Sequence, residues 1–271
     1  MSSVAVRELI EEAEKELLNL PQSKASVTYH FAPGICIREI VMPAGSFAIG
    51  NYQKYEHLNV FLAGKVRMLL DDGSWQDMQA PMMFVGKPGR KVGHIIEDVV
   101  WQNIYATDET DAEKIEAHFV SVSDYATDFM EAKRNDQKLL TSSESDYDKM
   151  LVDLGYTQEM VDAECLRTDD LIPFPFGSYR VAVGKSPIHD KGVFVTGDIE
   201  TGYLIPANIG GKRTPAGRFV NHSVAPNCKP IKLNGDLYFE TLCPLQGNVG
   251  GALGAEITAN YREVFKIMRG E

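Results

Sequence analysis

Residues 218–227 read Arg-Phe-Val-Asn-His-Ser-Val-Ala-Pro-Asn, and residues 256–261 read Glu-Ile-Thr-Ala-Asn-Tyr. Earlier in the chain, residues 186–194 read Ser-Pro-Ile-His-Asp-Lys-Gly-Val-Phe, and a glycine turn follows at Gly202. Each segment alone has an ordinary explanation, since a polar Asn-His-Ser turn is usually a hydrogen-bonded loop and Gly-Val-Phe is common in strands. The ordered set of segments is hard to obtain by chance, so it decides the fold of the C-terminal part.

These segments resemble the motifs of the SET domain, a β-rich fold found in protein-lysine methyltransferases. The resemblance covers residues 177–263 and implies methyl transfer from S-adenosylmethionine to lysine side chains of a protein substrate. It implies that Tyr261 is catalytic and orients the lysine nitrogen and the methyl group through its hydroxyl. Tyr203 and Tyr238 are expected to line the lysine channel. The implied cofactor-binding residues are Lys191, Gly192, Val193, Arg218, Phe219, Asn221 and His222.

The chemistry of this transfer explains why such residues belong together. Methyl transfer from a sulfonium to an amine is an in-line displacement, so positioning of the reacting atoms supplies most of the acceleration. The lysine must be neutral, and deprotonating it at pH 7 costs about 4 to 5 kcal/mol from a reference pKa of about 10.4. Burial beside a positive sulfonium disfavours the ammonium form. For Tyr261 the alternative is a buried structural tyrosine whose hydroxyl bonds a backbone group.

The C-terminal segment departs from the family pattern in three places. Asp190 stands where the first glycine of the family's glycine turn is expected, and Val224 replaces a frequent cysteine. The interval between Gly202 and Arg218 is short, so the insert that reads the substrate sequence in larger members of the family is minimal here. The missing wall of the substrate channel is expected to come from the C-terminal residues, the N-terminal domain or another subunit. In this compactness the segment is similar to SET proteins of bacteria and their viruses, and a histone substrate is not implied.

The N-terminal half has a different sequence pattern. Between residues 25 and 122, short β-rich runs such as 36–42, 57–70 and 99–106 alternate with turn signals, which predicts a small antiparallel barrel or sandwich. Residues 60–66, followed by Pro88-Gly89 and Gly93-His94, resemble the two motifs of the cupin barrel.

The cupin resemblance implies a divalent transition metal, with His57 and His94 at two of the family's ligand positions. A transition metal needs three or four side-chain ligands, and Glu56, Glu97 or Asp98 could complete the set if they point inward. The alternative is a barrel without metal that serves for dimerisation or substrate docking.

We therefore predict a mainly β fold with a helical connector, in which a cupin-like β-barrel precedes a SET-domain β-fold. The expected segments are an amphipathic helix (1–22), the barrel (23–122), an acidic helical connector (123–172) and the SET domain (173–271). Apolar residues at helical spacing between Val6 and Leu18 support the first of these.

Composition limits the partners. The chain has 27 basic and 38 acidic residues, a formal charge of −11, so no direct nucleic-acid partner is expected. The four cysteines form no C-x-x-C pair, which fits a reducing compartment. No run is apolar enough to cross a bilayer, so we expect a cytoplasmic protein with no membrane partner. The expected partners are a protein substrate that presents a lysine and a second copy bound through the barrel.

Three hypotheses follow from the sequence. The first is an active protein-lysine methyltransferase with a cupin-like accessory domain. The second is a catalytically idle SET fold that acts as an interaction or assembly module. The third places the activity in the barrel, as a metal enzyme or a small-molecule binder.

Overall fold

The computed structural model describes residues 3–141, 144–248, 250–251 and 253–270. The helices are α1 (Ser3–Leu17), α2 (Ala112–Phe119), α3 (Asp124–Thr141), α4 (Glu144–Leu154), α5 (Gln158–Leu166), α6 (Pro215–Phe219) and α7 (Tyr261–Arg269). The strands up to residue 121 are β1 (Ser26–Ala32), β2 (Ile35–Met42), β3 (Phe47–Ile49), β4 (Tyr52–Gln53), β5 (His57–Leu69), β6 (Trp75–Gln79), β7 (Met82–Gly86), β8 (Val92–Ala106) and β9 (Val120–Ser121). The later strands are β10 (Gly177–Tyr179), β11 (Val181–Lys185), β12 (Lys191–Val195), β13 (Leu204–Ile209), β14 (Lys212–Arg213), β15 (Asn221–His222), β16 (Cys228–Leu233), β17 (Asp236–Thr241) and β18 (Glu256–Ala259).

The first sheet is built around the long strands β5 and β8. Its strand order is β10-β1-β2-β8-β5-β6, with β3 also paired to β8 and β7 to β5. The register between β5 and β8 shifts between Phe61 and Val66, which bends the sheet so that one face is enclosed. Gly64 lies in this irregular stretch with φ of 92°, and a Cβ there would lie 2.1 Å from the Asp98 carbonyl oxygen. Only glycine fits this bend.

The second sheet brings distant segments of the chain side by side. Its strand order is β11-β12-β18-β16-β17-β13-β14, and β15 pairs in parallel with β18. In that pair, Asn221 lies opposite Thr258 and His222 lies opposite Ala259. The segments 218–227 and 256–261 are therefore neighbours in the fold.

The two sheets are packed on each other. One core cluster contains residues from both, including Tyr29 and Cys36 of the first and Val193 and Ile257 of the second. The backbone of Val27 also donates to the Thr196 carbonyl over 2.9 Å. Strand β10 pairs with β1, so it joins the first sheet although it lies within the segment 173–271.

Helices α3, α4 and α5 form the acidic connector. Gly155, with φ of 74°, separates α4 from α5, and the Thr157 hydroxyl caps α5 by accepting from the Met160 amide. Helix α1 agrees with the predicted N-terminal helix. None of the helices in the described part of the chain combines the length and the apolarity needed to cross a bilayer.

Candidate functional site

Three segments singled out in the sequence converge on the side chain of Asn221. Its Nδ2 atom donates to the Lys191 carbonyl oxygen over 3.0 Å and to Glu256 Oε1 over 2.7 Å. Ser186 Oγ lies 3.0 Å from the same nitrogen. The amide thus ties the loop before β12 to the first residue of β18.

The carboxylate of Glu256 is the acceptor at the centre of this cluster. Ser186 Oγ donates to Glu256 over 2.8 Å. Burial raises the pKa of Glu256, and the hydrogen bonds from Asn221 and Ser186 oppose that rise. A Cβ at position 192 would lie 2.3 Å from Glu256 Oε1, so Gly192 is required for this close approach.

Tyr261 and His222 lie next to this cluster, at the C-terminal end of the β15·β18 pair. The Tyr261 hydroxyl donates to the Val220 carbonyl over 2.8 Å, and the Tyr261 amide donates to His222 Nδ1 over 3.2 Å. Because Nδ1 accepts, the ring proton lies on Nε2, which donates to Asp146 Oδ2 over 3.0 Å. Burial raises the pKa of Tyr261, so its phenol is neutral at physiological pH.

The connector covers this edge of the site. Asp146 of α4 accepts from Arg262 Nη1 over 3.0 Å as well as from His222, and Arg262 also bonds Asp153. The Arg262 and His222 hydrogen bonds lower the pKa of Asp146. The ring of Tyr147 lies 6.4 Å from that of His222, measured between centroids. Helix α4 is therefore fixed to the motif residues by charge-assisted hydrogen bonds.

Arg218 is buried without hydrogen-bond partners for its guanidinium tips. Its side chain is 2% exposed, and neither Nη1 nor Nη2 has a hydrogen-bond partner among the described residues. Its Nη2 lies 4.0 Å from Asp170 Oδ1, which is also unpartnered because Asp170 bonds Arg213 through its other oxygen. Burial lowers the pKa of Arg218, and the charge of Arg213 lowers it further. A buried guanidinium with free donors is a favourable place for an anionic ligand.

The other residues predicted to bind a cofactor, and the neighbouring Asp190, have the following places in the structure. Lys191 bonds Glu113 of α2 through Nζ over 2.9 Å, and the same Nζ lies 5.7 Å from the ring centroid of Phe219. Val193 is fully buried in the core. Asp190 has φ of 39°, so its backbone takes the left-handed conformation that glycine favours.

Tyr203 and Tyr238, predicted to line a lysine channel, lie beside Tyr179. Burial raises the pKa of Tyr179 to about 12, and the neighbouring Tyr203 and Tyr238 contribute to the rise. The Tyr203 hydroxyl accepts from the Arg180 amide over 3.0 Å. The neighbours of Tyr261 are instead His222 and Tyr147. The structure therefore groups the two predicted channel residues with a different aromatic set.

His57 and His94, the predicted metal ligands, lie on opposite faces of the first sheet. His57 is buried on the inner face, in line with Asn59 and Phe61. His94 pairs with Arg67 on the outer face and stacks on Phe47, with ring centroids 4.8 Å apart. The structure does not bring the two histidines together, and the described residues contain no group of three metal-ligating side chains.

The inner face of the first sheet lines a cavity of about 960 Å³. Helix α1 closes one side of it, and Leu253 together with β11 contributes another. Glu14 of α1 forms a bidentate ion pair with Arg90, and the two side chains are only 7% and 11% exposed. Lys91, the next residue, also lines the cavity.

No protein-family model matches the chain, and no curated protein matches it. Solved structures are similar over part of it. One is an RmlC-like cupin protein with a double-stranded β-helix fold from Methanocaldococcus jannaschii, at 14% identity over 32% of this chain and 83% of that chain, with a TM-score of 0.27. Ectoine synthase from P. lautus has 11% identity over 39% of this chain and 83% of that chain, with a TM-score of 0.29. KdgF from Halomonas sp. has 13% identity over 28% and 72%, with a TM-score of 0.24.

These likenesses concern the fold alone. The described part of the chain is itself mainly β with several helices, as the sequence predicted. The likenesses give no support to a SET domain or to S-adenosylmethionine, which stay predictions from the sequence.

Sequence reasoning missed four residues of the C-terminal cluster. Ser186 and Glu256 lie within the motifs, but the motifs predicted no role for them, although both contact Asn221. Asp146 was one of many acidic connector residues, and no local pattern marks it. Asn227 closes the first motif, where its side chain bonds both the Glu256 carbonyl and the Thr258 amide. Its place in the motif was the available signal.

Proposed function

We propose that the C-terminal part is a SET-type domain that transfers a methyl group to lysine side chains of a protein substrate. The observation that carries this proposal is the parallel pairing of β15 with β18, which joins the two most specific motifs at His222 and Tyr261. Asn221 adds the third motif by bonding the Lys191 carbonyl. Three segments that resemble one family in sequence are thus held together by direct hydrogen bonds.

Arg218 is the residue that best supports the proposed cofactor. S-adenosylmethionine, when bound, supplies a methyl group on a positively charged sulfur and carries a carboxylate on its amino acid part. Among the described residues, neither terminal nitrogen of the buried Arg218 guanidinium has a hydrogen-bond partner, and a ligand carboxylate would supply what Asp170, 4.0 Å away, does not. The side chain of Asn221 also holds the loop that contains the Asp190 turn, through the His189 and Lys191 carbonyls. His222 is held in one tautomer by Asp146.

Tyr261 would orient the amine. Its hydroxyl donates to the Val220 carbonyl, which leaves the phenol oxygen lone pairs free to accept an N–H from a neutral lysine. The lysine would reach the site neutral, with its proton given up to solvent, and Tyr261 would hold its nitrogen in line with the methyl group that bound S-adenosylmethionine would supply. The protein then acts by positioning and by keeping the amine desolvated.

The proposed partner is a protein that presents a lysine to this site in the cytoplasm. The formal charge of −11 favours encounter with a cationic segment. A homodimer through the first sheet would supply an additional wall for a substrate channel.

Two measurements test the proposal. Calorimetric titration with S-adenosylmethionine should show binding by the full chain and a loss of about tenfold or more in Arg218→Met, with Arg269→Met of α7 as an exposed control. Incubation with labelled S-adenosylmethionine and a cell lysate should label lysine. Absence of cofactor binding by a well-folded protein would reject the proposal and favour an idle interaction module.

A second candidate function is small-molecule binding in the first sheet. The observation that favours it is the cavity of about 960 Å³, within the size range of ligand sites. A metal is not needed for it. Burial lowers the pKa of His57, and the charge of Lys91 lowers it further, so the cation beside this histidine opposes a metal ion there. Elemental analysis of the purified protein should find no stoichiometric metal that depends on His57.

A further inference from the structure

Most polar groups that line the cavity already have partners. Trp101 Nε1 and Asn103 Nδ2, which line it, each donate over 2.9 Å to the amide oxygen of Asn59, a residue with 0% exposure. Arg38 bonds Glu116 over 2.6 Å. The remaining walls are largely apolar: Ile40, Met42, Val66, Met68, Ile95 and Val99. The cavity therefore suits an apolar occupant of substantial size.

Lys91 is a partly buried exception among these groups, whereas Lys133 and Lys185, which also line the cavity, are exposed. No hydrogen bond or ion pair within 4.0 Å joins Lys91 Nζ to any residue in the described part of the chain, and Asp71 acts on it only through a longer-range charge interaction. A Cβ built on Gly86 would lie 2.9 Å from Lys91 Nζ and 3.2 Å from His57 Cε1. The Lys91 amine therefore lies close to His57 on the inner face of the sheet. A half-buried cation without a counter-charge is costly, and a ligand anion would offset that cost.

Near Lys91, the buried His57 Nε2 atom also has no hydrogen-bond partner among the described residues. His57 Nδ1 donates to the Tyr55 carbonyl over 3.1 Å, and burial lowers the pKa of His57, so in the neutral ring Nε2 carries a lone pair. A neutral imidazole leaves Lys91 as the positive charge there. The local charge selects for an anion and against a cation.

We infer that the cavity binds an amphiphilic carboxylate, with its apolar chain in the chamber of the first sheet and its carboxylate at Lys91. This inference rests on the second candidate function and names its ligand class. Helix α1 covers the chamber, and the Glu14–Arg90 ion pair holds it there. Arg90 directly precedes Lys91, so the loop that binds the head group also fastens the covering helix.

The test is calorimetric titration of the full chain with laurate, dodecanol and dodecyltrimethylammonium, all below their micelle concentrations. Laurate should bind at least about tenfold more tightly than dodecanol, since only laurate adds a charge-assisted hydrogen bond. The cationic amphiphile should bind more weakly than either. Binding should change the fluorescence of Trp101 in a Trp75→Phe background, because Trp101 lines the cavity and Trp75 is exposed.

The matched variants are Lys91→Met, Lys91→Arg and Lys87→Met. Lys91→Met should lose about tenfold in laurate affinity while its dodecanol affinity stays unchanged, which also shows that the chamber is intact. Lys91→Arg and the exposed-site control Lys87→Met should bind laurate like the parent. Equal laurate binding by Lys91→Met would overturn the inference. Dodecanol binding as tight as laurate would overturn the head-group assignment and leave the second candidate standing, whereas no binding of any probe would reject both.

Discussion

The two halves of the molecule use polar side chains in opposite ways. In the C-terminal cluster, Asn221, Glu256 and His222 are interlocked by hydrogen bonds, so the position of each backbone segment is fixed by its neighbours. The first sheet instead lines a largely apolar cavity, and among the described residues no hydrogen bond reaches Lys91 Nζ or the nearby His57 Nε2. The hydrogen-bonded cluster fixes the relative positions of its residues, which the proposed transfer reaction would require. The cavity sets the volume and the charge that a bound molecule would have to match.

The largest effect is expected from Tyr261→Phe, which addresses the chemistry of the C-terminal cluster. Loss of the hydroxyl should lower methyl transfer by about 100-fold, the size seen when a single positioned polar group is removed from a reaction site. Stability should fall by only about 1 kcal/mol, since one bond to the Val220 carbonyl is lost. Single-turnover assays with cofactor affinity measured in parallel separate the two. Full transfer by a variant that binds cofactor would leave Tyr261 with a structural role.

Asn221→Ala tests whether the cluster is interlocked. The change removes one of the two side chains that donate to the buried Glu256 carboxylate, and it removes the side-chain donor to the Lys191 carbonyl. The free energy of unfolding should fall by about 2 to 3 kcal/mol. Urea denaturation measures this, with Asn19→Ala as a control because Asn19 is exposed on the segment after α1. A loss no greater than that of the control would show that the cluster does not hold the segments together.

Acid should weaken the attachment of α1. Burial alone would raise the pKa of Glu14, but the hydrogen bonds and charge of Arg90 hold it below its usual range. A depressed pKa gives stabilisation that is present above the unfolded pKa, about 4.3, and is lost as pH falls through the folded value. The protection factors of the α1 amides, which correct hydrogen exchange for its intrinsic dependence on pH, should therefore fall below about pH 4. In Glu14→Gln the protection factors should be lower than in the parent at neutral pH and should change little in that range.

Glu256 should show the opposite sign. Its folded pKa is raised by burial, so the folded state binds the extra proton and stability increases as pH falls through that value. Glu256→Gln removes the buried charge while its amide can accept from Asn221 and donate to Ser186. We expect a higher urea midpoint at pH 7 than in the parent and a flatter pH dependence between pH 7 and 5. A lower midpoint would mean that the carboxylate itself is needed to hold the cluster.

The sequence predicted the local features well and the long-range partners poorly. Runs of β-forming residues bounded by turn signals identified strands such as β2 and β5, and the ordered motifs predicted that Arg218, Asn221 and Tyr261 belong to one region. Strands β1 and β6 and helix α2 were missed, although Val27, Tyr29 and Phe31 alternate along β1.

The wrong pairing of His57 with His94 and the missed contact of Asp146 have a common physical origin. Counting alternate residues along the strands does not predict on which sheet face His57 and His94 lie, because the register shifts between Phe61 and Val66 exchange inner and outer positions. Asp146 contacts His222 across a long sequence separation, and nothing in its own helix distinguishes it from the other acidic residues. Such contacts are set by tertiary packing, which a single sequence does not display.

The smallest predicted effect concerns the turn at Asp190. It tests why a residue with a side chain stands where the SET domain, which this segment resembles, usually has a glycine. Asp190 holds φ of 39°, a conformation that costs a residue with a side chain roughly 1 kcal/mol relative to glycine. Asp190→Gly should therefore stabilise the protein by about that amount, and thermal melting should show it as a small rise in Tm. Asn234→Gly, at φ of 52° in the turn between β16 and β17, is the matched control for the backbone effect alone. A comparable rise in both variants would mean that Asp190 occupies a glycine position for conformational reasons only. A rise in Asn234→Gly combined with a loss in Asp190→Gly would show that the carboxylate of Asp190 stabilises the loop that Asn221 holds.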